Sequence, residues 1–199
     1  MEEQLGLVHV YTGEGKGKTS ASLGLALRAI GHGYRVYMVQ FLKGGMYTGE
    51  VVAAQSFLQN LTIAQFGKGC LKLNKQMRMD GGKPPIFVRS SECGDCRYCF
   101  LDNDANRARE ALRQAKKRAS SGDYDIVILD EVNVAVHHGL LPVEEVITVV
   151  KEKAPHTELV LTGRNAPQEV MDAADYVSEV KAVKHPFSKG ILARKGIEY

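Results

Sequence analysis

The sequence of 199 residues contains no tryptophan and has no apolar run that approaches membrane-spanning length. It also lacks an internal repeat and a low-complexity tail. Its first residues, Met1-Glu2-Glu3-Gln4, are acidic and lead straight into an apolar segment, which is not the pattern of a signal peptide. We therefore expect a cytoplasmic location, no membrane association and a single domain, 1–199, that is large enough to bury a core.

A strong charge bias is also missing. Lysine and arginine total 26 against 23 aspartate and glutamate residues, which gives a net charge of +3. The basic residues are scattered except for a cluster at 113–118, and on a helix such a cluster is more typical of a solvated face than of a nucleic-acid stripe. Nucleic acid is therefore an unlikely partner.

The most informative stretch is Thr12-Gly13-Glu14-Gly15-Lys16-Gly17-Lys18-Thr19, between an apolar run and a helix-like segment. Three glycines in five positions let the backbone aim its N–H groups at phosphate oxygens, and the following helix adds its N-terminal positive charge. Lys18 would reach the phosphates and Thr19 would bind a phosphate-bound Mg²⁺. Thr12 replaces the first glycine of G-x-x-x-x-G-K-[ST], and a Gly/Lys-rich surface turn is the weaker alternative. The predicted nucleotide-binding residues here are Gly13, Gly15, Lys16, Gly17, Lys18, Thr19 and Ser20.

Apolar runs alternate with helix-like segments along most of the chain. The predicted strands are Leu5–Thr12, Arg35–Phe41, Asn60–Phe66, Tyr124–Glu131, Thr157–Thr162 and Asp175–Val180. The predicted helices are Lys18–Ile30, Glu50–Leu58, Asp104–Ala119, Pro142–Lys153 and Pro167–Ala174. This alternation predicts an α/β fold with a mostly parallel central sheet flanked by helices and joined by right-handed crossovers.

Polar residues follow several predicted strands, and the carboxyl ends of parallel strands line the ligand crevice. The strand that ends in Asp130-Glu131 has the pattern of the acidic partner of a phosphate loop, whose carboxylate approaches Mg²⁺. The pattern leaves open which of the two carboxylates does so. The other candidates at strand ends are Gln40, Lys43, Glu50 and Arg164, with ordinary loop polarity as the alternative for each.

The periodicity stops at about 67–103, where Gly-Gly and Pro-Pro pairs and all four cysteines occur. A structureless excursion of this length indicates a functional loop or a bound metal. In a cytoplasmic protein the cysteines act as thiols or metal ligands rather than as disulfides. Zinc is the leading prediction, an iron–sulfur cluster and free or redox thiols are the alternatives, and the residues concerned are Cys70, Cys93, Cys96 and Cys99.

An ordered set of short motifs resembles the ATP:corrinoid adenosyltransferases of the cobalamin pathway. Besides the loop at 12–19, the motifs are Arg28–Gly33, Val39–Gly44, Thr48–Glu50, Leu129–Glu131, Leu141–Val146, Thr162–Arg164, Ala174–Glu179, Val183–His185 and Lys195–Tyr199. The resemblance implies a homodimeric, RecA-like P-loop fold. It also implies that the Co(I) centre of a reduced corrinoid attacks the 5′-carbon of ATP and releases triphosphate.

The resemblance implies particular roles for the loop and its neighbours. Lys16, Lys18, Thr19, Mg²⁺ and Arg164 would stabilise the departing triphosphate, and Glu131 or Asp130 would hold the metal. Lys18 and Glu131 are the predicted catalytic residues. The corrinoid could be a cobalamin, a cobinamide or a cobyrinate diamide, with a flavoprotein-type reductant and a B12-dependent acceptor enzyme as further partners.

One part of the chain departs from the family. Its aromatic Phe-Thr-Trp segment after the third strand corresponds here to Gly69–Lys72, and tryptophan is absent. We hypothesise that the cysteine loop, read as an insertion, replaces this lid, with Tyr98 or Phe100 supplying apolar surface. The competing functions are a P-loop ATPase whose metal-stapled loop acts on nucleic acid or a protein partner, and a carrier of adenosylated corrinoid.

Overall fold

The computed structural model describes residues 5–43, 48–67, 105–191, 193–194 and 196–198. The strands are β1 (Val8–Thr12), β2 (Val36–Phe41), β3 (Leu61–Phe66), β4 (Ile126–Asp130), β5 (Glu158–Thr162) and β6 (Tyr176–Glu179). The helices are α1 (Lys18–Gly31), α2 (Gly49–Phe57), α3 (Ala105–Ser121), α4 (Val132–His137), α5 (Val143–Glu152) and α6 (Gln168–Asp172), followed by a 3₁₀ turn at Pro186–Lys189.

The six strands form one sheet in the order β3-β2-β4-β5-β1-β6. Every adjacent pair is parallel, with Val10 opposite Leu161 and Val39 opposite Leu129. The α/β prediction with a parallel sheet is therefore confirmed. One consequence for the site is that β5 lies between β1 and β4, so a residue at the carboxyl end of β5 sits between the glycine loop and Asp130.

Two apolar layers cover the two faces of the sheet. One contains Val10, Val39 and Leu129 with α3, and the other contains Met38, Ile128 and Val160 with α1. Helix α3 approaches its face closely because its buried residues are mostly alanines at helical spacing, Ala108, Ala111, Leu112, Ala115 and Ala119. The central strands β2 and β4 are buried along their whole length, which holds their carboxyl ends rigidly.

Most predicted boundaries lie within a few residues of the observed ones, but two predictions at the strand ends are wrong. The first strand begins at Val8 rather than at Leu5. Strand β4 ends at Asp130 rather than at Glu131, because Glu131 has a left-handed backbone (φ 66°) that no extended strand accommodates. The short helix α4, which follows directly, was not predicted. None of the helices in the described ranges combines the length and apolar composition needed to span a bilayer.

The start of β1 is anchored by the carboxylate of Glu158. Its Oε2 accepts hydrogen bonds from the backbone N–H groups of Gly6 and Leu7, both at 2.8 Å, and its Oε1 lies 2.6 Å from Nε2 of His9. Burial acts to raise the pKa of Glu158, but the hydrogen bonds from His9, Gly6 and Leu7 outweigh it and lower the pKa. The folded protein therefore stabilises the ionised form of the Glu158 carboxylate.

We expect Glu158→Gln to lower the free energy of unfolding by about 1–2 kcal/mol at pH 7, because the variant loses charge-assisted hydrogen bonds. A lowered folded-state pKa stabilises the fold above the unfolded value of about 4.3, and this contribution is lost as the pH falls through the folded-state pKa. The deficit of the variant relative to the wild type therefore shrinks below about pH 4.

Urea unfolding of both proteins at pH 7 and pH 3.5 measures this deficit. The matched control is Glu169→Gln on the exposed face of α6, for which we expect a change within about 0.5 kcal/mol. An equal deficit for Glu158→Gln at both pH values would contradict the assignment.

Candidate nucleotide-binding site

The glycine loop after β1 is shaped by two glycines in conformations that other residues rarely adopt. Gly13 has φ 93° and Gly17 has φ 121°. Between them, the N–H of Gly15 donates to the carbonyl of Val180 at 2.7 Å, and a Cβ added to Gly15 would lie 2.7 Å from that same oxygen. Any side chain at position 15 would therefore push the loop away from the segment that follows β6.

Lys18 folds back into this loop from the first turn of α1. Its Nζ donates to the carbonyls of Gly13 at 2.6 Å and Gly15 at 2.7 Å, and the residue is only 7% exposed. Burial lowers the pKa of Lys18, although the nearby carboxylates, Glu131 first among them, oppose that shift. The loop thus holds an ammonium group at its centre, paired with neutral carbonyls.

Asp130 at the carboxyl end of β4 is fully buried and accepts four hydrogen bonds. Its Oδ1 accepts from the hydroxyls of Thr19 and Thr162, each at 2.8 Å. Its Oδ2 accepts from Nζ of Lys43 at 2.8 Å and from Nε2 of Gln40 at 3.3 Å. The carboxylate therefore connects the first turn of α1 to the ends of β2 and β5.

Lys43 supplies the charge that balances Asp130. Its side chain is 25% exposed, whereas that of Asp130 is wholly buried. Burial acts to lower the pKa of Lys43, but the charge of Asp130 and the hydrogen bond to it outweigh that effect and raise the pKa. Gln40 completes this side of the network, because its amide donates to Glu50 at 3.1 Å and accepts from Gln65 at 2.8 Å.

Glu131 is the second carboxylate of the site and differs from Asp130. Its left-handed backbone turns it out of the strand, and its N–H donates to the hydroxyl of Thr162 at 3.0 Å. Burial, followed by the charge of Asp130, raises the pKa of Glu131. Thr162 therefore fixes both acidic residues with one hydroxyl, which donates to Asp130 and accepts from Glu131.

The remaining predicted residues lie at the rim. Ser20 is exposed beside Thr19 on the first turn of α1. Nζ of Lys16 lies 2.8 Å from Oε1 of Glu198, and a guanidinium nitrogen of Arg164 lies 3.3 Å from a carboxylate oxygen of Glu14. Both basic side chains are about half exposed and already have carboxylate partners.

The structure thus brings together Lys18, Thr19, Gln40, Lys43 and Asp130, which the sequence placed on four separate segments. Two further polar residues in the network were not predicted as site residues. Thr162 was recognisable as the last residue of a predicted strand and as part of the motif Thr162–Arg164, and Gln65 only as one polar residue within the predicted third strand.

The predicted zinc or iron–sulfur site lies outside the described residues and stays a prediction. Its proposed ligands are Cys70, Cys93, Cys96 and Cys99. Within the described ranges, no group of three or more histidine, cysteine, aspartate and glutamate residues is arranged to hold a metal ion.

A parallel sheet, a glycine loop that opens a helix, and a buried aspartate bonded to the loop threonine define a P-loop nucleotide-binding protein. A family profile described as ATP:corrinoid adenosyltransferase BtuR/CobO/CobP matches residues 4–83 and 88–199. The chain belongs to this family. Because the match is interrupted only over residues 84–87, Cys93, Cys96 and Cys99 lie within the matched part. That the cysteine loop is an insertion stays a prediction.

Individual relatives agree with the family. A corrinoid adenosyltransferase of Sinorhizobium sp is 35% identical over 198 residues, which cover 99% of this chain and 82% of that protein. A corrinoid adenosyltransferase of Escherichia coli (strain K12) is 33% identical over 198 residues, covering 100% of this chain and 88% of the relative. The corrinoid adenosyltransferase CobA of Salmonella typhimurium has the same identity and the same coverage.

The role of Thr162 can be separated from its contribution to stability. We expect Thr162→Val, which removes the hydroxyl but keeps the side-chain shape, to weaken ATP binding about tenfold, because Asp130 loses a donor and Glu131 loses an acceptor. Isothermal titration calorimetry with ATP measures the effect.

Thr157→Val is the matched control. Thr157, the residue that precedes β5, is also fully buried, and its hydroxyl donates to the carbonyl of Tyr124 at 2.9 Å instead of to the acidic pair. We expect each variant to lose about 1 kcal/mol of stability, with only Thr162→Val changing the affinity. Equal affinities for the two variants would show that Thr162 has no role in the site.

Proposed function

We propose that this chain transfers the 5′-deoxyadenosyl group of ATP to the Co(I) centre of a reduced corrinoid. The observation that carries the proposal is the direct contact between Thr19 and Asp130 beside the buried Lys18, in a chain that belongs to the adenosyltransferase family. A cobalt electron pair forms the Co–C5′ bond, and the C5′–O bond breaks with its electron pair moving to the triphosphate. No proton transfer is required.

Charge accumulates on the triphosphate as it leaves, so catalysis here depends on cations that interact more strongly with the product-like transition state than with ATP. Lys18 is the catalytic cation because the loop already holds its ammonium in place, which removes the cost of ordering it during the reaction. Lys16 and Arg164 at the rim neutralise the outer phosphates.

The oxygen donors of the site suit Mg²⁺, which prefers hydroxyl, carboxylate and phosphate ligands. We propose that Thr19, Asp130 and Glu131 would hold the ion, which would supply positive charge to the triphosphate. The fit is supported by the hydrogen bond between Thr19 and Asp130 and by the turned-out backbone of Glu131. Lys43 lies 2.8 Å from Oδ2 of Asp130 and supplies a positive charge beside this carboxylate.

Several finer features of the proposal come from the family resemblance. We propose a homodimer of single-domain chains, with the segment around 67–103 as a loop that contacts the corrinoid. The corrinoid is cobalamin, cobinamide or cobyrinate diamide, and a flavoprotein-type reductant would supply the electron that produces Co(I). A B12-dependent enzyme would accept the product.

An anaerobic assay with ATP, Mg²⁺ and chemically reduced cob(I)alamin tests the reaction. The absorbance change on Co–C bond formation follows the transfer, and chromatography identifies the phosphate product. We expect adenosylcobalamin and triphosphate in equal amounts. ADP without alkylation of cobalt would overturn the proposed reaction, and parallel assays with cobinamide and cobyrinate diamide would rank the substrates.

We expect Lys18→Ala to lower kcat at least a hundredfold in this assay, because the variant loses the cation at the centre of the loop. Lys151→Ala, at an exposed position of α5, is the control and keeps wild-type turnover. Near-normal turnover by Lys18→Ala would mean that the loop does not bind the triphosphate.

A further inference from the structure

The C-terminal end of the chain reaches back to the glycine loop. Nζ of Lys16 donates to Oε1 of Glu198 at 2.8 Å, across 182 positions of sequence. The side chains are 45% and 22% exposed, so the carboxylate is the better buried partner of the pair. This contact places a negative charge beside a loop whose proposed ligand is a polyanion.

Arg194 fixes the Glu198 carboxylate in place. The backbone N–H of Arg194 donates to Oε2 at 2.7 Å, its Nε donates to Oε2 at 3.2 Å, and its second guanidinium nitrogen donates to Oε1 at 3.1 Å. In return, the N–H of Glu198 donates to the carbonyl of Arg194 at 2.9 Å. Hydrogen bonds from Arg194 and Lys16 lower the pKa of Glu198 to about 2, so the group is charged at every working pH.

The segment that leads to Glu198 is also held against the loop at its beginning. The N–H of Val180 donates to the carbonyl of Thr12 at 2.8 Å, and the carbonyl of Val180 accepts from Gly15 at 2.7 Å. The stretch from Val180 to Glu198 therefore starts and ends on the glycine loop.

The two lysines of the loop have different partners. Lys18 donates to neutral carbonyls, whereas Lys16 is paired with a carboxylate. Phosphate oxygens that engage Lys16 must displace Glu198 or accept its negative charge as a close neighbour, and either outcome weakens phosphate binding. The hydrogen-bond partners of Lys18 in the described part of the chain are carbonyls, so phosphates that bind it displace no carboxylate from it.

We propose that Glu198 is a positioning residue that competes with the triphosphate for Lys16 and thereby limits how tightly the product is retained. The inference rests on the proposed function, because it takes triphosphate as the leaving group. A triphosphate bound by Lys16, Lys18 and Arg164 together would leave slowly. The Glu198 carboxylate replaces the triphosphate at Lys16 and so speeds product release.

The probe is inorganic triphosphate, titrated calorimetrically into the full chain without corrinoid. We expect Glu198→Gln to bind triphosphate about three- to fivefold more tightly than the wild type at 50 mM salt, the scale set by partly exposed ion pairs. The gain shrinks at 0.5 M salt because the competing interaction is electrostatic. In the anaerobic assay, the same variant becomes correspondingly more sensitive to inhibition by added triphosphate.

Glu152→Gln provides the matched control. Glu152 pairs with Lys116 at the same distance of 2.8 Å, with both side chains about half exposed, but the pair joins α5 to α3 away from the loop. We expect this variant to bind triphosphate with wild-type affinity. Thermal unfolding checks that every variant is folded before its affinity is compared.

A double-mutant cycle tests whether Glu198 acts through Lys16. In a Lys16→Gln background, we expect Glu198→Gln to leave the triphosphate affinity unchanged. Unchanged or weaker binding by Glu198→Gln alone, or a gain that persists without Lys16, would overturn the inference while leaving the proposed function intact. Conversion of ATP to ADP without alkylation of cobalt in the anaerobic assay would overturn the proposed function and this inference with it.

Discussion

The arrangement of the site depends on one buried carboxylate. Asp130 has no solvent exposure, and an ionised carboxylate removed from water is strongly unfavourable unless hydrogen-bond donors and an opposite charge compensate it. Its four donors come from residues on α1, β2, β5 and the segment after β2. Four parts of the chain therefore have to meet at one point, and the crevice is formed where they meet.

This requirement explains why the side chains of the site hold one another in place. Thr19 is held by Asp130, and Lys18, the preceding residue, is held by the loop carbonyls, so the first turn of α1 is fixed from both sides. Thr162 also fixes the position of Glu131, because its hydroxyl accepts a hydrogen bond from the N–H of Glu131. Groups that are already oriented reorganise little when charge develops, which is the main source of electrostatic catalysis.

Local signals were sufficient to predict the loop, the acidic strand end and the α/β class. The glycine spacing at 13–17 and the apolar run before Asp130 each report on a few neighbouring residues, and the structure places both where the sequence indicated. The role of Thr162 could not be predicted from the sequence, because it follows from β5 lying between β1 and β4, and strand order is not a local property. The left-handed backbone of Glu131 and the contact of Glu198 with Lys16 depend in the same way on tertiary packing.

The partners of the basic residues suggest how the site reconciles strong catalysis with release of its product. Lys18 is paired with carbonyls, so phosphates can engage it without displacing a charge. Lys16, Lys43 and Arg164 each have a carboxylate within 3.3 Å, so their attraction for a polyanion is partly offset in advance. An enzyme gains rate only from interactions that strengthen in the transition state, and uniform attraction for triphosphate would delay product release instead. Among the described residues, the hydrogen-bond partners of Lys18 are carbonyls, whereas the surrounding cations have carboxylate partners. Under the proposed reaction, Lys18 therefore provides the larger share of the attraction for the leaving triphosphate.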